Sequence, residues 1–174
     1  MFKITLDGGL TTIYDFCSKS GCADGQAPYA GLVQAPNGDF FGTTLKGGIP
    51  VAGFYGSAGT IYNISPSGTL TTLYSFCSQA GCTGGSNPYA GLIRTADGDF
   101  YGTTYAGGTG CPTCGTVFKI TPEGSLTTMY SFDTLAGEAD GAGPYAGLFQ
   151  GANGDFYGTT LYGGSGMDTE PSSK

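Results

Sequence analysis

The stretch Pro28–Gly48, PYAGLVQAPNGDFFGTTLKGG, decides how this chain folds. It returns as PYAGLIRTADGDFYGTTYAGG from Pro88 and as PYAGLFQGANGDFYGTTLYGG from Pro144. In the first copy Ala30–Gln34 and Phe40–Thr44 flank Asn37-Gly38, and Asp97-Gly98 and Asn153-Gly154 hold the same place later. Asn-Gly or Asp-Gly between runs of Thr, Tyr, Phe and aliphatic residues is a hairpin signal, because tight primed turns need positive φ. Each copy is therefore expected to be a β-hairpin.

A second block lies outside the first. MFKITLDGGLTTIYDFCSKSGC (Met1–Cys22) matches IYNISPSGTLTTLYSFCSQAGC (Ile61–Cys82), and VFKITPEGSLTTMYSF (Val117–Phe132) matches again. Each reads as a further hairpin, turning at Asp7-Gly8, Ser67-Gly68 and Glu123-Gly124. Both blocks keep one period of about 60 residues, the mark of a repeat architecture. No apolar pattern of helical period interrupts them, so the chain reads as all-β. Four short strands per repeat is the sequence shape of a β-propeller blade, with PYAGL innermost and the GDFFGTT, TIYNIS and LTTLYSF strands following outward. The expected fold is a three-repeat propeller-like domain over residues 1–164, with repeats at about 1–47, 60–108 and 116–164. Residues 165–174 (SGMDTEPSSK) form a polar tail.

Composition bounds the function. The 174 residues include 34 Gly and 9 Pro, and only 11% are charged, less than half the usual share. That balance leans toward disorder, but 12 Tyr and 11 Phe supply large buriable surfaces. There is no His, which removes Ser–His and Cys–His dyads and imidazole metal ligands. A net charge of −7 argues against a nucleic-acid partner. No apolar run is long enough for a membrane-spanning helix, and no leader pattern opens the sequence. The sequence points to no catalytic residue, metal or cofactor, and the protein is expected not to be an enzyme.

The motifs PYAGLVQ, NGDFYGTT, GTVFKITP and LTTLYSF resemble the Gloeo/Verruco (GloVer) tandem repeat of secreted bacterial surface proteins, and more distantly NHL-type propeller blades. The resemblance runs from Met1 to about Gly164. It implies an extracellular repeat array, often with a C-terminal anchor, and no established catalytic site. No anchor motif is recognisable after Gly164.

Counting hairpins sharpens the expectation. The chain opens with the two outer strands of a blade (Phe2–Phe16) and closes with two inner strands of another (Tyr145–Leu161). One of three blades is thus split between the termini, and propellers close with four to eight. Two chains would supply six. The expected partner is a second copy of the chain, docking Phe2, Ile4, Tyr14 and Phe16 against Tyr145, Phe156 and Tyr157 in a closed ring or a head-to-tail filament. Low charge, Gly-rich strands and local disulfides fit an extracellular structural material.

The six cysteines form local pairs: Cys17/Cys22, Cys77/Cys82 and Cys111/Cys114. In the third repeat Asp133 and Glu138 replace both members of a pair, as a disulfide would require. Cys111–Cys114 is a CxxC, compatible with a redox motif or half a zinc site. Without a βαβ context or further ligands, a loop-stapling disulfide is favoured. Disulfides indicate an oxidising, extracellular compartment.

Recurring aromatics (Tyr29/Tyr89/Tyr145, Phe40/Phe100/Phe156, Tyr14/Tyr74/Tyr130 and Phe16/Phe76/Phe132) read as packing between blades. Aromatics outside the repeat are candidates for contact with glycan or protein. These are Phe54 and Tyr55 in the insert Ile49–Gly59, and Tyr105 and Tyr162 just beyond the GTT strands. Asp39, Asp99 and Asp155 fit hairpin-turn hydrogen bonding. Asp24, Glu138 and Asp140 lie in Gly-rich loops where oxygen ligands for calcium are conceivable, but repeat two has Thr83-Gly84-Gly85 there.

Overall fold

Every expected hairpin forms. The computed structural model of the chain describes residues 1–49, 58–109, 113–132 and 139–164. Its strands are β1 (Phe2–Ile4), β2 (Leu10–Thr12), β3 (Val33–Gln34), β4 (Phe40–Thr44), β5 (Thr60–Ile64) and β6 (Leu70–Ser75). There follow β7 (Ile93–Arg94), β8 (Phe100–Thr104), β9 (Thr116–Ile120), β10 (Leu126–Ser131), β11 (Phe149–Gln150) and β12 (Phe156–Tyr157). All pairings are antiparallel. Two four-stranded meanders, β3-β4-β5-β6 and β7-β8-β9-β10, stand between a two-stranded β1-β2 sheet and a two-stranded β11-β12 sheet. Among the described residues there is no α-helix; Ser20–Cys22 and Ala80–Cys82 make short 3-10 turns.

The hairpin loops differ from the expected primed turns. The Gly38 amide donates to the Ala35 carbonyl and the Ala35 amide to the Asp39 carbonyl. Positive φ falls on Gly38 (91°) and not on Asn37. This is a three-residue loop, a type I turn followed by a left-handed glycine. The same bonds recur from Thr5 to Gly9, Ser65 to Thr69, Thr95 to Asp99, Thr121 to Ser125 and Gly151 to Asp155. Pro36, Pro66 and Pro122 suit the first central position of a type I turn. Asn37 and Asn153 each donate a side-chain bond to the turn aspartate that follows, Asp39 at 2.8 Å and Asp155 at 2.7 Å. Asp99 instead pairs with Lys119.

The inner strands are also shorter than the sequence suggests. Only two residues pair in β3, β7 and β11, and the Ala-Gly segments before them face the next repeat. A Cβ on Gly91 would lie 3.1 Å from the Gly31 carbonyl, and one on Gly147 would lie 3.7 Å from the Ala90 Cβ. Thr43 donates to the Ala90 carbonyl at 3.0 Å and Thr103 to the Ala146 carbonyl at 3.2 Å, tying each sheet to the next. PYAGL is therefore an inter-sheet segment more than a strand.

The core lies between the two complete sheets and includes Phe41, Ile61, Phe76, Leu92, Phe100, Phe118 and Ile120. Rings cross each sheet junction: Phe16 on Tyr62 (4.9 Å between centroids), Phe41 on Phe100 (4.1 Å), Phe76 on Phe118 (5.5 Å) and Tyr101 on Phe156 (4.3 Å). Aromatic pairs in such offset or edge arrangements add to their area burial. Disulfides join Cys17 to Cys22 and Cys77 to Cys82. Cys114 is also disulfide-bonded, and Cys111 lies outside the described residues. No helix of the described residues is long and apolar enough to cross a membrane.

Candidate functional site

Two regions carry unsatisfied surface. The first is at the sheet ends. Phe2 and Ile4 in β1 are 63% and 59% exposed, yet their counterparts in β5, Tyr62 and Ile64, are buried to 1% and 0%. Phe149 and Tyr157, in β11 and β12, are similarly open. Among the described residues no strand covers the free edge of β1 or the outer edge of β12. A groove of about 700 Å³ runs beside β12, lined by Met129, Phe132, Leu148, Tyr157 and Gly158 among others. A second groove of about 310 Å³ lies beside β1, between Phe2 and the Ala30–Leu32 segment.

The other expected contact residues divide. Tyr14 and Phe16 lie just past β2, where Tyr14 stacks edge-on against Phe16 at 5.3 Å. β2 ends at Thr12, and Ile13 and Tyr14 continue by donating their amides to the Met1 carbonyl. Tyr145 lies outside any strand, and Phe156 packs on Tyr101.

The second region is a tyrosine face. Of the repeated Tyr29, Tyr89 and Tyr145, expected in the packing between blades, Tyr29 is 72% and Tyr145 52% exposed, and Tyr89 is half-buried. Tyr89 stacks on Tyr145 at 4.3 Å, and Tyr105 stands edge-on to both, at 5.5 and 6.2 Å. A hydrogen bond with Tyr162 holds the Tyr105 hydroxyl above the usual phenol range. The structure thus brings the sequence candidates Tyr105 and Tyr162 together with Tyr89 and Tyr145. Beside them lies a hollow of about 720 Å³, lined by Tyr89 and Tyr145 together with Tyr29, Leu45, Gln26 and Lys46. Phe54, Tyr55, Asp133 and Glu138 lie outside the described residues. Sequence reasoning named Tyr145 as an assembly contact and left Tyr89 to the packing between blades, because recurrence at one place in each repeat suggests packing.

Asp24 has a structural task. It is fully buried and accepts from the Tyr14 hydroxyl (2.8 Å), the Ser18 amide and hydroxyl (3.0 and 2.8 Å) and the Lys19 amide (3.2 Å). Burial works against its charge, but these donors overcome it and hold the carboxyl down to about 2. Asp140 accepts from Tyr130 in the same way at 2.7 Å. In the middle repeat Gly84 stands at this place, and the buried Tyr74 hydroxyl has no hydrogen-bond partner among the described residues. No cluster of three or more metal-binding side chains occurs among the described residues.

Taken together, these features define a class: an antiparallel all-β repeat protein whose sheets are joined by aromatic contacts and small-residue segments. The family model for the Gloeobacter/Verrucomicrobia repeat matches residues 1–169, and the chain belongs to that family. No curated protein matches the sequence.

Proposed function

We propose that this protein is a non-catalytic extracellular structural unit that self-assembles. Its four sheets are read as two whole propeller blades and two halves, and the halves of different copies complete one another. Two copies close a six-bladed ring, or successive copies extend a filament. The observation that carries the reading is the contrast between equivalent residues: Phe2 and Ile4 are open where Tyr62 and Ile64 are buried. A row of unpaired strand groups beside exposed apolar side chains invites a matching strand. The local disulfides support an oxidising, extracellular setting. A sequence without His offers little for acid–base chemistry.

Sedimentation at rising protein concentration tests this. Mass is expected to grow from 17.6 kDa to a closed dimer or to a polymer series. A monomer at every concentration would overturn the reading.

A second reading, a carbohydrate- or protein-binding module, is favoured by the tyrosine face. Exposed rings flanked by Gln26 and Lys46 suit stacking on a sugar face with polar groups at its margin. Binding to a glycan array that Tyr89→Ala abolishes would support it.

A further inference from the structure

The internal junctions dictate how two copies fit. We infer that β1 of one copy adds to β12 of another in a single register, with its Phe2 ring seated over Gly158 and against Phe132. The inference rests on the self-assembly reading and specifies its contact.

Four observations agree. In the first complete sheet Phe40 lies opposite Ile64, Phe41 opposite Asn63 and Gly42 opposite Tyr62. In the second, Phe100 lies opposite Ile120, Tyr101 opposite Lys119 and Gly102 opposite Phe118. Carried to the repeat's third copy, Phe156 faces Ile4, Tyr157 faces Lys3 and Gly158 faces Phe2 of the incoming copy. The glycine is there to admit the ring. A Cβ on Gly42 would lie 2.8 Å from Tyr62 Cζ, and one on Gly102 would lie 2.7 Å from Phe118 Cζ. At Gly158 only Leu148 Cδ2 comes within 4 Å, so the ring's place is open.

The second observation concerns the ring's other face. Phe16 covers Tyr62 and Phe76 covers Phe118, each from the preceding sheet. Phe132 is the third of that series, and it lines the groove beside Gly158. The third is the hairpin loop. A Cβ on Gly68 would meet the Ile13 carbonyl at 2.7 Å, and one on Gly124 the Leu73 carbonyl at 2.7 Å. Gly8 has nothing within 4 Å, and Met129, next in the series after Ile13 and Leu73, is 51% exposed. The fourth is the cross-sheet threonine bond. Thr43 and Thr103 donate to Ala90 and Ala146, which leaves exposed Thr159 to donate to Ala30 of the incoming copy.

Plug and socket lie on different ends of the chain, so the contact is heterologous. Phe2→Ala spoils the plug and Gly158→Val fills the socket. Each variant alone, followed by sedimentation velocity, is expected to associate roughly a hundredfold more weakly than the wild type. An equimolar mixture is expected to form a one-to-one dimer and stop there. The intact Phe2 of the Gly158→Val chain enters the intact socket of the Phe2→Ala chain, and both remaining ends are dead. The dimer also shows that both variants are folded. Wild-type protein that stays monomeric overturns the self-assembly reading and this inference with it. Wild-type protein that assembles while the variants assemble equally well, or while their mixture forms no dimer, overturns the register alone.

Discussion

At the residue scale, one carboxylate organises the loop after the first hairpin. Asp24 gathers four donors around the Cys17–Cys22 turn, and its folded pKa is lowered from the ordinary 3.8 to about 2. Below pH 4 the unfolded chain binds the proton more readily than the folded one, so acid favours unfolding. The contribution is whole above about pH 4 and disappears as pH falls through about 2. Denaturation midpoints measured between pH 6 and pH 2.5 are expected to fall more steeply for the wild type than for Asp24→Asn. Equal slopes would show that Asp24 is not the group responsible. The middle repeat lacks this carboxylate and leaves the Tyr74 hydroxyl buried without a partner among the described residues, where an unpaired group costs about 1–3 kcal/mol.

At the scale of strands and loops, the repeat was legible because turn glycines and GTT strands keep their phase. Strand order and pairing within each sheet follow the expected sequence of segments. Loop type was not legible, since Asn-Gly serves both a primed two-residue turn and the three-residue loop found here. Neither was the shortness of β3, β7 and β11, because Ala-Gly looks alike whether it pairs in a sheet or packs against the next repeat. Burial depended on neighbours that no local pattern reveals: Phe76 is fully buried between two complete sheets, but its equivalents Phe16 and Phe132 have one complete neighbour each. The strand glycine illustrates the same dependence. Gly102→Val would drive a side chain into Phe118 and Leu92 and is expected to cost about 1–3 kcal/mol in chemical denaturation. A stability equal to wild type would mean that the core between the sheets is looser than its contacts indicate.

At the scale of the molecule, the chain is a series of equivalent junctions. Those between sheets within the chain are filled, while the outer faces at β1 and β12 are open, as the proposed plug and socket require. The two proposed readings make distinct demands: assembly through the sheet ends requires strand pairing with another copy, and ligand binding at the tyrosine face requires no such pairing. Hydrogen exchange of the wild-type chain, followed below and above the concentration at which its mass rises, separates these most directly. The account predicts that amides of residues 2–4 and 156–158 become protected as copies associate, while peptides bearing Tyr89 and Tyr105 keep their rates. A rise in mass with unchanged exchange at both strands, and protection at the tyrosine face instead, would contradict it.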